Sequence, residues 1–90
     1  MNSTVKIVVS GRVQGVYFRA NTQKQAVKLH VKGYVKNLNS GEVEIVASGH
    51  ADALESLIRW CHKGPLLAKV NQVLITQLPD EHSFHDFEIR

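Results

Sequence analysis

Ninety residues make one domain, residues 1–90, and a chain this short buries only about 60–70% of its unfolded surface, so it needs one continuous core. A single cysteine, Cys61, excludes an intrachain disulfide and fits a reducing compartment. With no apolar run near the roughly 20 residues of a membrane span and no signal core after Met1-Asn2-Ser3-Thr4, the expectation is a cytoplasmic protein without a membrane partner. The net charge of +3 conceals a polarity: the first 41 residues carry seven Lys and Arg and no acid, and the remainder carries four against eight acids. Such a distribution suits a small anionic substrate or a nucleic acid. Lys24, Lys28 and Lys32, four apart on one helical face, read more simply as a solvated surface.

Val5, Ile7 and Val9 alternate with Lys6, Val8 and Ser10 and predict a first strand with one buried face. Gly11 to Arg19 follows, with Gly15 inside it, and leads into a helix over Phe18–Val31 whose Phe18, Thr22, Ala26 and Leu29 face the sheet. Lys28, His30 and Lys32 crowd its last turn, and Gly33 suits the position after its end. Tyr34–Leu38 is a second strand, Asn39-Ser40-Gly41 a short hairpin loop, and Val43, Ile45 and Ala47 mark a third strand. Asp52, with Glu55 three residues on, is the expected N-cap of a second helix. Leu54, Leu57, Ile58 and Cys61 form its apolar stripe, and Gly64-Pro65 ends it. Cys61 therefore reads as a small buried hydrophobe rather than a catalytic thiol. Val70, Val73 and Ile75 predict a fourth strand with a bulge near Asn71-Gln72, Leu78-Pro79-Asp80 a turn, and Phe84–Ile89 a last short strand with Phe87 and Ile89 inward. The order is that of an α+β sandwich, with both helices on one face of a mainly antiparallel sheet of four to five strands.

A strand, a Gly-containing turn and a helix N-terminus are a physical recipe for holding an anion, because N–H groups converge there and the helix dipole adds partial positive charge. Gly15 permits backbone conformations that other residues resist, and a turn through Gln14, Gly15, Val16, Tyr17 and Phe18 aims successive N–H groups at one point. Arg19 lies beside that point with a guanidinium suited to bidentate phosphate contact. Spacing alone leaves open an ordinary Gly-containing turn with a surface arginine. Asn37 is the second candidate: an amide of poor strand propensity within an apolar-flanked strand. It either bonds the nearby turn backbone or presents donor and acceptor to a water or substrate oxygen. His30, His50, His62, His82 and His85 lack metal-ligand spacing, so no metal or cofactor is expected.

Val9-Ser10-Gly11-Arg12-Val13-Gln14-Gly15-Val16-Tyr17-Phe18-Arg19 resembles the first acylphosphatase signature, and Gly33-Tyr34-Val35-Lys36-Asn37, with Gly41, Val43 and Gly49, resembles the second. Gly64-Pro65 with Ala68 and Val70, and the ending Phe84-His85-Asp86-Phe87-Glu88-Ile89-Arg90, are also similar to that family, so the resemblance covers nearly the whole chain. It implies a ferredoxin-like βαββαβ sandwich and metal-independent hydrolysis of acyl phosphates to a carboxylate and inorganic phosphate; nothing in the sequence demands more than a monomer. The family's catalytic arginine falls on Arg19, its water-orienting asparagine on Asn37 and its phosphate cradle on Gln14 to Phe18. Tyr17 stands where the family often has a smaller residue, but only its backbone is needed. The family often carries an aromatic after the last arginine, where this chain ends at Arg90, which is expected to loosen that edge without touching the chemistry. Two rival readings carry less. An RNA-binding module begins with a Lys32-Gly33-Tyr34-like triplet, but Val35 and Lys36 break the pattern and one stacking aromatic is too few. The other is a ligand-binding regulatory domain without turnover.

Overall fold

The computed structural model describes residues 2–79 and 83–90, so Asp80 of the expected turn and His82 lie outside it. The elements run β1 (Asn2–Arg12), α1 (Phe18–Lys28), β2 (Lys32–Asn37), β3 (Val43–His50), α2 (Ala51–Lys63), β4 (Lys69–Leu78) and β5 (Phe87–Ile89). The strands form one sheet in the order β4-β1-β3-β2-β5, with every pair antiparallel except the parallel β2–β5 edge. α1 packs chiefly on β2 and β5, and α2 on β4, β3 and β1, so both helices cover one face. This is the ferredoxin-like sandwich with one added edge strand.

Register explains which residues make the core. Directly paired residues share a face, so the rows beneath the helices are Val5–Ala47–Gly33, Ile7–Ile45–Val35 and Val9–Val43–Asn37. The first eight of these nine residues are buried. Leu54, Leu57 and Cys61 of α2, and Phe18 and Ala26 of α1, close over them, with Thr22 bonding back to the Phe18 carbonyl at 2.8 Å. Ile75 pairs with Ile7 and so shares the covered face, but at the β4 edge it stays half-exposed. Ile89 has the same parity as Phe87 yet is also exposed, because it stands at the open end of the sheet. The expected bulge is present: Ser10 pairs with Gln72 but Gly11 with Val70, which leaves Asn71 as the extra residue.

Both helix boundaries of the sequence reading need correction. α1 ends at Lys28, and the left-handed residue after its end is His30 (φ 59°), three positions before Gly33. The His30 N–H bonds the Val27 carbonyl and the Val31 N–H the Ala26 carbonyl, the paired closure of a Schellman end. Gly33 belongs to β2 instead, with φ 141°, and a Cβ there would collide with the Val46 carbonyl of β3. α2 begins two residues earlier than expected: His50 is its N-cap, without a side-chain cap bond, and Asp52 lies inside the first turn, where its charge faces the helix dipole. The last strand is also shorter than Phe84–Ile89, since pairing with β2 spans only Phe87–Ile89.

Gly33→Ala is expected to cost about 1–3 kcal/mol from backbone strain alone, with the clash against Val46 added, read as a lower urea midpoint. Cys61 is buried, and burial pushes its thiol up to about 12. At neutral pH the native protein should therefore resist thiol reagents and react only on unfolding. Stability should fall as pH rises from about 9, where the unfolded thiol ionises, towards 12, where the folded one does; Cys61→Ala should flatten that part of the alkaline limb in pH-dependent urea melts.

Candidate active site

The connection from β1 to α1 is held by its apolar residues. Val13, Val16 and Phe18 are buried, whereas Gly15 and Tyr17 face outward. Phe18 lies against Trp60 of α2, with ring centroids 5.3 Å apart and planes tilted by 56°, and so pins the start of α1 to the second helix. Two residues take positive φ between these anchors: Gly15 at 76° and Tyr17 at 65°. Tyr17 is the N-cap of α1, yet it makes no side-chain cap bond and no acid occupies the first turn. Its carbonyl instead accepts from the Asn21 N–H at 3.1 Å and from the Asn21 side-chain amide at 2.9 Å.

The loop's own N–H groups are left over. Among the described residues, no protein acceptor pairs with the N–H of Gln14, Gly15, Val16, Tyr17 or Phe18. Main-chain donors without partners at an uncapped helix start form a region of positive potential. Arg19 stands in that first turn. Its Nη1 donates to the main-chain oxygen of Arg90 at 3.2 Å, and among the described residues no Asp or Glu side chain pairs with it.

Asn37 reaches the same place from the end of β2. It is the last residue of β2 and ends the row that runs through Val9 and Val43, so its side chain stands on the helix-covered face where the core opens to solvent. Among the described residues its side-chain amide has no protein partner. The bond to the neighbouring turn that was one sequence-level explanation for Asn37 is made by Gln14 instead. Gln14 Nε2 donates to the carbonyls of Leu38 at 2.8 Å and Glu42 at 2.9 Å.

A cleft of about 350 Å³ brings these parts together, lined by Val13, Gly15, Tyr17, Phe18, Arg19, Ala20, Asn37 and Ile89. Five of the seven sequence-predicted site residues thus share one cavity. Gln14 and Val16 do not line it: Gln14 turns its side chain to the β2–β3 hairpin, and Val16 is buried below the loop. Ile89, a wall of the cleft, was read from sequence only as an inward strand residue. The parity that aligned it with Phe87 was visible, but its place beside Arg19 depends on β5 pairing with β2.

Comparison with known proteins identifies the family. Residues 5–89 match the sequence profile of the acylphosphatase family. The chain is 49% identical over 84 residues to an acylphosphatase of Vibrio cholerae, covering 93% of this chain and 92% of that one. Two solved acylphosphatases superpose with a TM-score of 0.94. One, from Coxiella burnetii, is 39% identical, with 99% of this chain and 93% of that one covered. The other, from Bacillus subtilis, is 38% identical, with 100% and 99% covered. Matching profile, full-length similarity and shared fold place this chain in the acylphosphatase family.

Proposed function

We propose that the protein hydrolyses acyl phosphates, the mixed carboxylic–phosphoric anhydrides, by attack of water at phosphorus. The observation that carries this is one cleft where, among the described residues, a loop of unpaired N–H groups, a guanidinium without an Asp or Glu partner and an unpartnered amide meet. The phosphoryl group sits on the N–H groups of Gln14 to Phe18, and Arg19 spans two of its oxygens. The Asn37 side-chain carbonyl accepts a hydrogen bond from the attacking water and aligns it with the bond to the leaving carboxylate. A new bond forms from the water oxygen to phosphorus, the phosphorus–oxygen bond to the acyl group breaks, and the electron pair leaves on the carboxylate. The phosphate oxygens take up the water's proton.

Little further chemistry is required. The carboxylate is a weak base and leaves without a strong general acid. Phosphoryl transfer depends mostly on positioning and on stabilising charge as it spreads over the equatorial oxygens. Fixed N–H donors at a helix start do this without reorganising. Among the described residues no Asp or Glu side chain pairs with Arg19, which leaves the guanidinium to meet the substrate. Both halves of the site come from one chain, which suits a monomer, and the reading calls for no cofactor.

Benzoyl phosphate hydrolysis, followed against variant controls, tests the assignment. Arg19→Ala and Asn37→Ala should each lose at least about 10²–10³ in kcat, the scale of a lost preorganised group, while urea midpoints stay near wild type. Substantial turnover by Arg19→Ala would sink the assignment. Because the cradle binds the phosphoryl end, inorganic phosphate should inhibit competitively, and EDTA should leave the rate unchanged.

A further inference from the structure

The Gln14 side chain makes a contact that the proposed chemistry does not use. Its main-chain N–H belongs to the phosphate loop, but its side chain crosses to the opposite half of the site. One NH₂ group donates both its hydrogens, to Leu38 at 2.8 Å and to Glu42 at 2.9 Å. Two carbonyl acceptors also fix the amide's orientation, since only the nitrogen fits between them. Those carbonyls close the end of the β2–β3 hairpin. The Leu38 N–H bonds the Glu42 carbonyl at 2.8 Å, and the Gly41 N–H bonds the Leu38 carbonyl at 3.1 Å. Leu38 directly follows Asn37. Among the described residues, no other side-chain hydrogen bond joins the loop of residues 13–17 to this hairpin.

We infer that the Gln14 side chain is a positioning residue that fixes Asn37, and the water it orients, at a set distance from the phosphate cradle. The inference rests on the proposed hydrolysis and adds a part to it. In-line attack needs the water and the phosphorus held relative to one another, and a misplacement of about 1 Å costs on the order of 10²-fold in rate. Phosphate and water are carried here by two elements 24 residues apart in sequence, and Gln14 is the strut between them. Its loss leaves neither carbonyl orphaned, because each keeps a main-chain donor, so the fold should survive.

The test uses the full chain with benzoyl phosphate as substrate and inorganic phosphate as the ligand for the cradle. Gln14→Met keeps length and removes both donors. It should lower kcat by about 10–100-fold, while the inhibition constant of inorganic phosphate stays within about twofold, because the main-chain N–H is retained. In an Asn37→Ala background the same substitution should cost nothing further, since what it positions is gone. Gln14→Glu places a carboxyl against two carbonyls that offer it no proton, so its charged form is disfavoured. Protonation restores one donor, and its rate relative to wild type should rise as pH falls from 7 to 5. A Gln14→Met kcat within twofold of wild type, losses that multiply with Asn37→Ala, or a phosphate inhibition constant that rises as kcat falls would each overturn the inference. Should Gln14→Met fail to fold, a Gln14→Glu rate ratio flat between pH 7 and 5 overturns it. A silent Gln14→Met beside an inactive Asn37→Ala refutes the strut alone, whereas an active Asn37→Ala refutes the hydrolytic reading and the strut with it.

Discussion

A loop that leaves five main-chain N–H groups without protein partners among the described residues does not use them to hold itself together. That constraint governs much of the structure. Ordinary turns are fixed by their own hydrogen bonds; residues 14–18 give theirs up. Order has to come from side chains instead, and three apolar pegs supply it: Val13, Val16 and Phe18 enter the core. Phe18 is the deepest, seated against Trp60 and the turn at Gly64, where even a Cβ would approach the Phe18 ring to 2.9 Å. The missing side chain at Gly64 therefore serves a loop on the other side of the sequence. Burying a phenylalanine contributes about 2–3 kcal/mol, enough to offset the strain of Tyr17 in the left-handed region.

Arg19 faces a related problem. A long cation on a helix surface loses entropy when it is held still, and a carboxylate partner would hold it at the cost of its charge. The Arg90 main-chain oxygen accepts from it at 3.2 Å, and among the described residues no Asp or Glu side chain pairs with it. Arg90 is itself fixed from several directions: its N–H bonds the Val35 carbonyl at 2.8 Å, its guanidinium lies 4.2 Å from the Tyr34 ring centre, and its Nε pairs with Glu88 at 3.1 Å. The Glu88 pair is exposed and contributes little on its own. The backbone bond and the stacking on Tyr34 do more, because they extend β2–β5 pairing to the edge of the cleft. Gln23 adds a bond from α1 to the Phe87 carbonyl at 2.9 Å. The short last strand is thus the element that gives the arginine a fixed neighbour.

The core and the strand pattern were legible in the sequence because hydrophobic periodicity records burial directly. Val5, Ile7 and Val9, or Val43 and Ile45, need no long-range information to be placed on one face. Helix ends were less legible because they depend on one residue's φ. Gly33 looked like the helix stop by type, but His30 takes the left-handed position and Gly33 answers instead to the Val46 carbonyl across the sheet. Asp52 looked like a cap by type, but the chain turns helical directly after β3, at His50. In the site, residue types and the family's motifs pointed to Arg19, Asn37 and the loop. They did not point to the side chain of Gln14, because a glutamine carries no periodic signal and its partners are backbone carbonyls 24 and 28 residues away.

Charge behaves in the same way. The chain divides into a basic stretch and an acidic one, which along the sequence suggests one positive face. Folding interleaves them instead, because β2 from the basic part pairs with β3 and β5 from the acidic part. Lys36 meets Glu44 at 3.6 Å across the β2–β3 ladder, and Tyr34 donates to the same carboxylate at 3.1 Å. At Lys36 and Glu44 the two stretches meet in a cross-strand pair on the sheet's outer face. What survives at the cleft is more local: an arginine that pairs with no Asp or Glu side chain among the described residues, beside a helix start with no acid in its first turn. The positive end of the α1 dipole is left unscreened by the absence of acids in its first turn, and the count of lysines along the chain has little part in that.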